Sequence, residues 1–155
     1  VLDTMSHWIR DRREDFIRLA CCADVVLLNS KELALFGDGD RRYAVARILE
    51  GGSSWVVMKR GAQGAVAFSK EKSVSVSSVS PGYLKDPTGA GDAFAGGLVS
   101  ALAGASTSLV DMQIAMRRAA VMGSLAVESF SIQSLVEMTA QEADSRASEI
   151  RVHVE

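Results

Sequence analysis

The chain has 155 residues, 48% hydrophobic and 23% charged, with 17 Lys plus Arg against 19 Asp plus Glu and a formal charge of −2. That length and composition suit one ordinary domain with a real core and exclude a disordered chain. The missing basic excess argues against nucleic acid as a partner.

Val1 and Leu2 read as a short strand, after which Ile9, Phe16, Ile17 and Ala20 recur at helical spacing among Arg, Asp and Glu, as in one amphipathic helix. Cys21 and Cys22 follow at its end. Adjacent thiols cannot staple distant segments and lack zinc-site spacing, so both are expected as small buried side chains in a reducing compartment, the cytoplasm. Asp24-Val25-Val26-Leu27-Leu28-Asn29 is a compact apolar run of the kind buried in a parallel sheet, and Ser30 can cap the helix that runs to Phe36. Tyr43, Ala46, Ile48 and Leu49 predict another helix, stopped by Gly51-Gly52.

Trp55–Lys59 and Gly64–Phe68 read as strands joined through Arg60-Gly61-Ala62-Gln63, a spacing that fits a hairpin with a loop. Ser73 to Val79 alternates Ser with Val as a half-exposed strand, and Pro81-Gly82 turns the chain. Three long helices are then predicted, over 90–103, 110–128 and 131–149. The uncharged stretch 93–110 is long enough to suggest a membrane span, but Gly96, Gly97, Gly104 and several Ser and Thr interrupt it, so it reads as a buried helix and its exit turn. No signal peptide is visible, and the chain opens in mid-strand without Met, as a piece of a longer protein would. Strand and helix alternation followed by helices is an α/β pattern.

Asp86-Pro87-Thr88-Gly89-Ala90-Gly91-Asp92-Ala93-Phe94-Ala95-Gly96-Gly97 carries the chemistry. Pro87 holds Asp86 extended, and two glycines around Ala90 let backbone approach a bound group where a helix begins. Amide N–H groups and the positive end of the helix dipole then converge on one place, which suits a phosphoryl group. A Walker loop would need Gly-Lys-Ser/Thr where Gly91-Asp92-Ala93 stands, and a dinucleotide fingerprint would need a third glycine at Phe94. The bland alternative is that Gly89 and Gly91 serve tight packing and Asp92 only caps a helix.

This segment resembles the second signature of the ribokinase-like (PfkB) carbohydrate and nucleoside kinase family. Two further segments match the family in order: Asn29-Ser30-Lys31-Glu32 its Asn-x-x-Glu motif, and Lys59-Arg60-Gly61-Ala62-Gln63-Gly64 its nucleotide-side strand and turn. The resemblance runs from Val1 to about Leu135. It implies a three-layer αβα ribokinase-like fold with a mostly parallel central sheet, of which this chain is the C-terminal portion.

By that resemblance Asp92 is the general base for the acceptor hydroxyl, and the amides of Gly89, Ala90 and Gly91 form the anion hole for the transferring phosphate of ATP. Asn29 and Glu32 organise Mg²⁺ and phosphate, Glu32 through water, although both also read as a helix cap and a first-turn carboxylate. Lys59, Gly61 and Gly64 fall on the nucleotide side, with Lys59 equally readable as an ordinary strand-end lysine. Asp86 and Thr88 match positions that hold a monovalent cation such as K⁺ in some relatives, and Asp86 equally reads as a turn residue before Pro87. Asp3 ends the first strand, and Thr4, Met5 and His7 could face the acceptor or phosphate. His7 beside Trp8 reads as packing or surface. Arg117 and Arg118 read as solvated, with Ala119, Val121, Met122 and Gly123 as candidate adenine neighbours.

Members of the family are usually about twice this long, and their N-terminal half supplies most acceptor contacts and a β lid that can mediate a homodimer. Residues 1–155 are therefore expected to be the ATP-binding and catalytic portion of a single domain, with the N-terminal half and lid absent. The implied function is an ATP- and Mg²⁺-dependent kinase of a sugar or nucleoside hydroxyl, a cytoplasmic enzyme binding neither nucleic acid nor membrane. The alternative is a truncated nucleotide-binding remnant without transferase activity.

Overall fold

The structure is a computed structural model that describes residues 1–79 and 84–155, so the turn expected at Pro81-Gly82 lies outside the described residues. The chain divides into two units, one of residues 1–60, 66–73 and 155, the other of 61–65 and 74–154.

In the first unit, β1 (Leu2–Asp3), β2 (Val25–Asn29) and β3 (Trp55–Lys59) run parallel in that order. Asp3 stands opposite Leu27, and Asn29 opposite Lys59. Val25 to Leu28 have no exposed surface, the burial on both faces that makes a parallel strand a continuous apolar run. The connections are helical: α1 (Ser6–Asp11), α2 (Arg13–Ala20), α3 (Ser30–Phe36) and α4 (Arg41–Glu50). Ile9, Phe16, Leu33, Phe36 and Ile48 from these helices bury against Val26, Leu28 and Val56. Phe16 meets Phe36 edge to face, with ring centroids 5.3 Å apart.

The single helix predicted over the first twenty residues is two. Arg12 leaves helical geometry at φ −137 and ψ 42, and its N–H closes α1 on the Trp8 carbonyl at 2.9 Å. Ile9 and Phe16 still reach the same core, so helical spacing survives the break. The cysteines are a correction: both are exposed. The buried side of α2 ends at Ala20, and the two thiols fall in the turn that leads to β2.

A short 3₁₀ turn (Gly61–Gln63) replaces the loop expected after β3, and β4 (Ala65–Phe68) follows it. β5 (Ser73–Val76), shorter than the run to Val79 suggested and in the second unit from Val74 onward, pairs antiparallel with β6 (Val152–Val154), a strand the sequence did not announce. The helices are α5 (Ala90–Leu102), α6 (Leu109–Ala126), α7 (Gln133–Glu137) and α8 (Ala140–Glu149). Where one helix was expected over 131–149 there are two, because Thr139 and Glu142 form a capping box that starts α8 afresh.

Leu98, Met112, Ala115, Met116 and Leu125 form the buried side of α5 and α6. Gly97 lets these helices touch, since a Cβ there would stand 2.9 Å from Met122 Cγ and 3.0 Å from Ala119 Cα. Ala119 and Val121 are fully buried. Arg118, expected to be solvated, ion-pairs with Asp144 at 2.5 Å. Among the described residues no helix is long and apolar enough to cross a membrane.

Candidate active site

The first unit gathers its candidate residues at the carboxyl ends of its parallel strands, the edge at which open α/β sheets bind ligands. Asn29 ends β2 and is the N-cap of α3. Its Oδ1 accepts the N–H groups of Lys31 and Glu32, both at 2.9 Å. Glu32 Oε2 returns to accept the Asn29 N–H at 2.8 Å, so Asn-x-x-Glu is a reciprocal capping box. Glu32 is 5% exposed, and its carboxylate is held by the Asn29 N–H.

The cap sets a measurable expectation. Glu32→Ala strands the partly buried Asn29 N–H and lowers stability by about 1–2 kcal/mol. Glu32→Gln keeps an acceptor oxygen and costs less than about 1 kcal/mol, and urea unfolding midpoints of the two variants distinguish these costs.

One strand away, Lys59 ends β3 and its Nζ donates to both carboxylate oxygens of Asp3, at 2.9 and 2.8 Å. The Thr4 N–H also donates to Asp3 Oδ1 at 2.9 Å, and Ser30 Oγ donates to the Lys59 carbonyl at 3.4 Å. Asp3, Asn29, Glu32 and Lys59 thus belong to one strand edge. His7 is exposed and stacks obliquely on Trp8, with ring centroids 4.7 Å apart, as a surface pair.

In the second unit, Gly61 and Gly64 both take positive φ, 57 and 80, and Gly64 N–H closes the turn on the Gly61 carbonyl at 3.0 Å. Ser78 Oγ braces it from the carbonyl of Ala62 at 2.6 Å. A Cβ on Gly61 would meet open space, whereas one on Gly64 would overlap the Val76 carbonyl oxygen.

Asp86 to Asp92 forms the start of α5. The N–H groups of Lys85 and Asp86 hold the Val127 carbonyl at 2.8 and 3.4 Å, tying the segment to the end of α6. Asp86 Oδ1 accepts the Thr88 N–H at 2.9 Å, a local turn of the kind Asp favours. That backbone bond first, and the Thr88 side chain second, hold the Asp86 carboxyl below its ordinary value. Asp86 therefore carries negative charge at neutral pH, beside the helix start.

Ala90 N–H reaches the Pro87 carbonyl at 3.3 Å, and Gly89, the N-cap, has φ 79 and ψ −5. Those angles are the ones required at the third position of a type II turn, where glycine is favoured. A Cβ on Gly89 would meet nothing within 4 Å, so the space beside this backbone is open. The first-turn amides of a helix have no intrahelical acceptor, and that of Ala90 is met instead by the Pro87 carbonyl. Asp92 is exposed in the same first turn. On the other side the helix start rests on α6, where a Cβ on Gly123 would come within 3.3 Å of the Ala90 carbonyl. An open, glycine-lined helix start with a carboxylate in its first turn can accept an anionic group and a proton together. No group of three or more His, Cys, Asp and Glu with metal-binding geometry occurs among the described residues.

The sequence pattern of the pfkB family carbohydrate kinases matches residues 2–138. The chain belongs to that family. It is 33% identical over 103 residues to a fructokinase of Rhizobium leguminosarum bv. trifolii, a match covering 66% of this chain and 30% of the relative. It is 32% identical over 92 residues to a cytidine kinase of Thermococcus kodakarensis, covering 57% of this chain and 33% of that protein. The nucleoside kinase of Methanocaldococcus jannaschii, an archaeal member of the ribokinase family, superposes with a TM-score of 0.80 at 20% identity, over 95% of this chain and 47% of that one. The fold is accordingly the ribokinase-like α/β fold. The chain spans about a third of the length of these curated relatives and about half of the solved one.

In this pfkB-family chain, sequence patterns locate the Asn29 cap, the Gly61 to Gly64 turn and the Gly89 helix start. They gave no sign of the ion pair between Asp3 and Lys59, whose partners are 56 residues apart. Nor did they point to Val127, which enters only through its carbonyl.

Proposed function

We propose that the protein carrying this chain is an ATP-dependent kinase that transfers the γ-phosphate to a hydroxyl of a sugar or nucleoside. The observation that carries this reading is the start of α5, where Gly89 takes a left-handed conformation beside open space and Asp92 stands exposed in the first turn. Phosphoryl transfer asks a protein chiefly for positioning and for donors aimed at the charge on the transferring group. The amides of Gly89, Ala90 and Gly91 are the donors, that of Ala90 giving up its 3.3 Å bond to the Pro87 carbonyl, reinforced by the helix dipole. Asp92 orients the acceptor hydroxyl and takes its proton as the new P–O bond forms, while ADP departs with the electrons of the broken bond.

Lys59, Gly61 and Gly64 serve the nucleotide. Mg²⁺ keeps most of its water and leans on substrate phosphates. Asn29 and Glu32 would hold that hydrated ion, which neutralises phosphate charge when bound. Asp86 and Thr88 are the candidates for a monovalent cation such as K⁺. The chain spans less than half the length of the solved neighbour. We therefore take residues 1–155 as the ATP-binding and catalytic portion of one ribokinase-like domain, whose acceptor-binding half and lid lie outside them.

A fructokinase and a cytidine kinase both match this chain, so the acceptor class is decided by experiment. The protein that carries this chain is incubated with Mg–ATP and a panel of sugars and nucleosides, and products are read by mass spectrometry. A phosphate monoester of one acceptor class is expected. ATP binding without a phosphorylated product from any acceptor would support the truncated, transfer-inactive alternative.

A further inference from the structure

We infer that Asp3 is a positioning residue that acts through Lys59, holding the lysine ammonium over the end of β2 where nucleotide phosphate binds; this rests on the kinase reading. Asp3 stands opposite Leu27, and Lys59 opposite Asn29. Side chains two residues apart share a face of a strand, so Asp3, Leu27, Asn29 and Lys59 all project from one side of the sheet. Asp3 is on β1 and Lys59 on β3, and their bidentate pair at 2.8 and 2.9 Å crosses β2 between them.

The pair is partly sheltered, the Lys59 side chain being 17% exposed and that of Asp3 26%. Asp3 is itself fixed by the Thr4 N–H at 2.9 Å, and Lys59 by the Ser30 hydroxyl on its carbonyl at 3.4 Å. A lysine ammonium sits on a flexible four-carbon stem, and only a partner defines where it stands. An ammonium has three N–H donors, and a carboxylate that takes two leaves the third for a phosphate oxygen. Asp3 also lowers the net positive charge at this edge, so its contribution is the placement of Lys59 and not raw attraction for ATP.

That division gives a kinetic signature. Asp3→Asn keeps the shape and one oxygen to accept from the Thr4 N–H and Lys59, but removes the charge and the second acceptor, so the bidentate hold on Lys59 is lost. It is expected to lower kcat about 10-fold without raising the KM for ATP, because a repulsive charge leaves as positioning is lost. Lys59→Met is expected to lower kcat and raise the KM for ATP, each by about 10-fold. Asp3 acting through Lys59 further requires that the double variant be no slower than Lys59→Met alone.

Steady-state kinetics of the protein that carries this chain, with Mg–ATP varied and Asp92→Asn as reference, supply the test. Coupled effects with the KM for ATP unraised in Asp3→Asn are the expected result. Multiplying effects, a raised KM in Asp3→Asn, or a kcat within about two-fold of wild type overturns the role of Asp3 while leaving the kinase reading standing, provided Asp92→Asn abolishes transfer. Absence of transfer by the wild type to any sugar or nucleoside overturns both.

Discussion

Asp92→Asn in the protein that carries this chain lowers kcat for phosphoryl transfer by about 10²–10⁴-fold, the range typical of a lost general acid–base residue. The effect is expected in kcat because the substitution leaves the binding surface in place. Asp92 stands exposed in the first turn of α5, so replacing it with an isosteric amide opens no cavity. The lost interaction between carboxylate and helix dipole costs about 0.3–1 kcal/mol. The amides of Gly89, Ala90 and Gly91 belong to the backbone and remain, and removing a negative charge near polyphosphate does not weaken its binding. A coupled ADP-release assay beside a nucleotide titration therefore returns collapsed turnover with ATP affinity largely intact. Comparable turnover by wild type and variant would sink Asp92 as the base.

The second large effect concerns stability. Gly64→Ala places a methyl group on a residue at φ 80, where non-glycine backbone costs about 1–2 kcal/mol. The new carbon would also overlap the Val76 carbonyl and lie 2.9 Å from Ser77 C and Ser78 N. These are backbone atoms following β5, and they yield only if the strand end moves. A total of about 3 kcal/mol or more is expected. Gly61→Ala is the internal comparison, since φ there is 57 but a Cβ meets open space, leaving only the backbone cost of about 1–2 kcal/mol. Urea unfolding of both variants should separate them clearly. Equal losses would mean that the turn moves freely relative to β5.

This contrast divides the two glycines by cause. Gly64 is required by its neighbours whatever the turn binds, whereas the open side of Gly61 leaves room for a ligand to approach backbone. Both were legible as turn residues because left-handed geometry is a local demand that glycine meets at low cost. The helix start at Gly89 was legible for the same reason, as were the buried strands β2 and β3, whose apolar runs leave little choice but a covered parallel sheet.

What escaped the sequence was of two kinds. Some signals were present but ambiguous. Thr139-Ala140-Gln141-Glu142 spells a capping box, yet the continuous helical pattern around it hid the restart of α8. The break at Arg12 had no glycine or proline to mark it. Three-residue β6 is too short for alternation to declare itself, and it exists through pairing with β5. Other features have no local signal at all. The Asp3–Lys59 pair depends on strand order and register, and the exposure of Cys21 and Cys22 on where the buried side of α2 ends. The Asn29–Glu32 motif lay between these kinds, since its letters suit both a cap and a site. The structure realises the cap, and a fixed carboxylate beside the strand edge is compatible with both roles.

The most direct measurement follows the phosphorus itself. ATP carrying an isotopic label in its γ-phosphate is given to the protein that carries this chain, with Mg²⁺ and the acceptor panel, and the label is traced by mass spectrometry. The label is expected in a phosphate ester on a sugar or nucleoside hydroxyl, and Asp92→Asn is expected to prevent it. Label that stays in ATP, or emerges only as inorganic phosphate with every acceptor, would contradict the kinase reading.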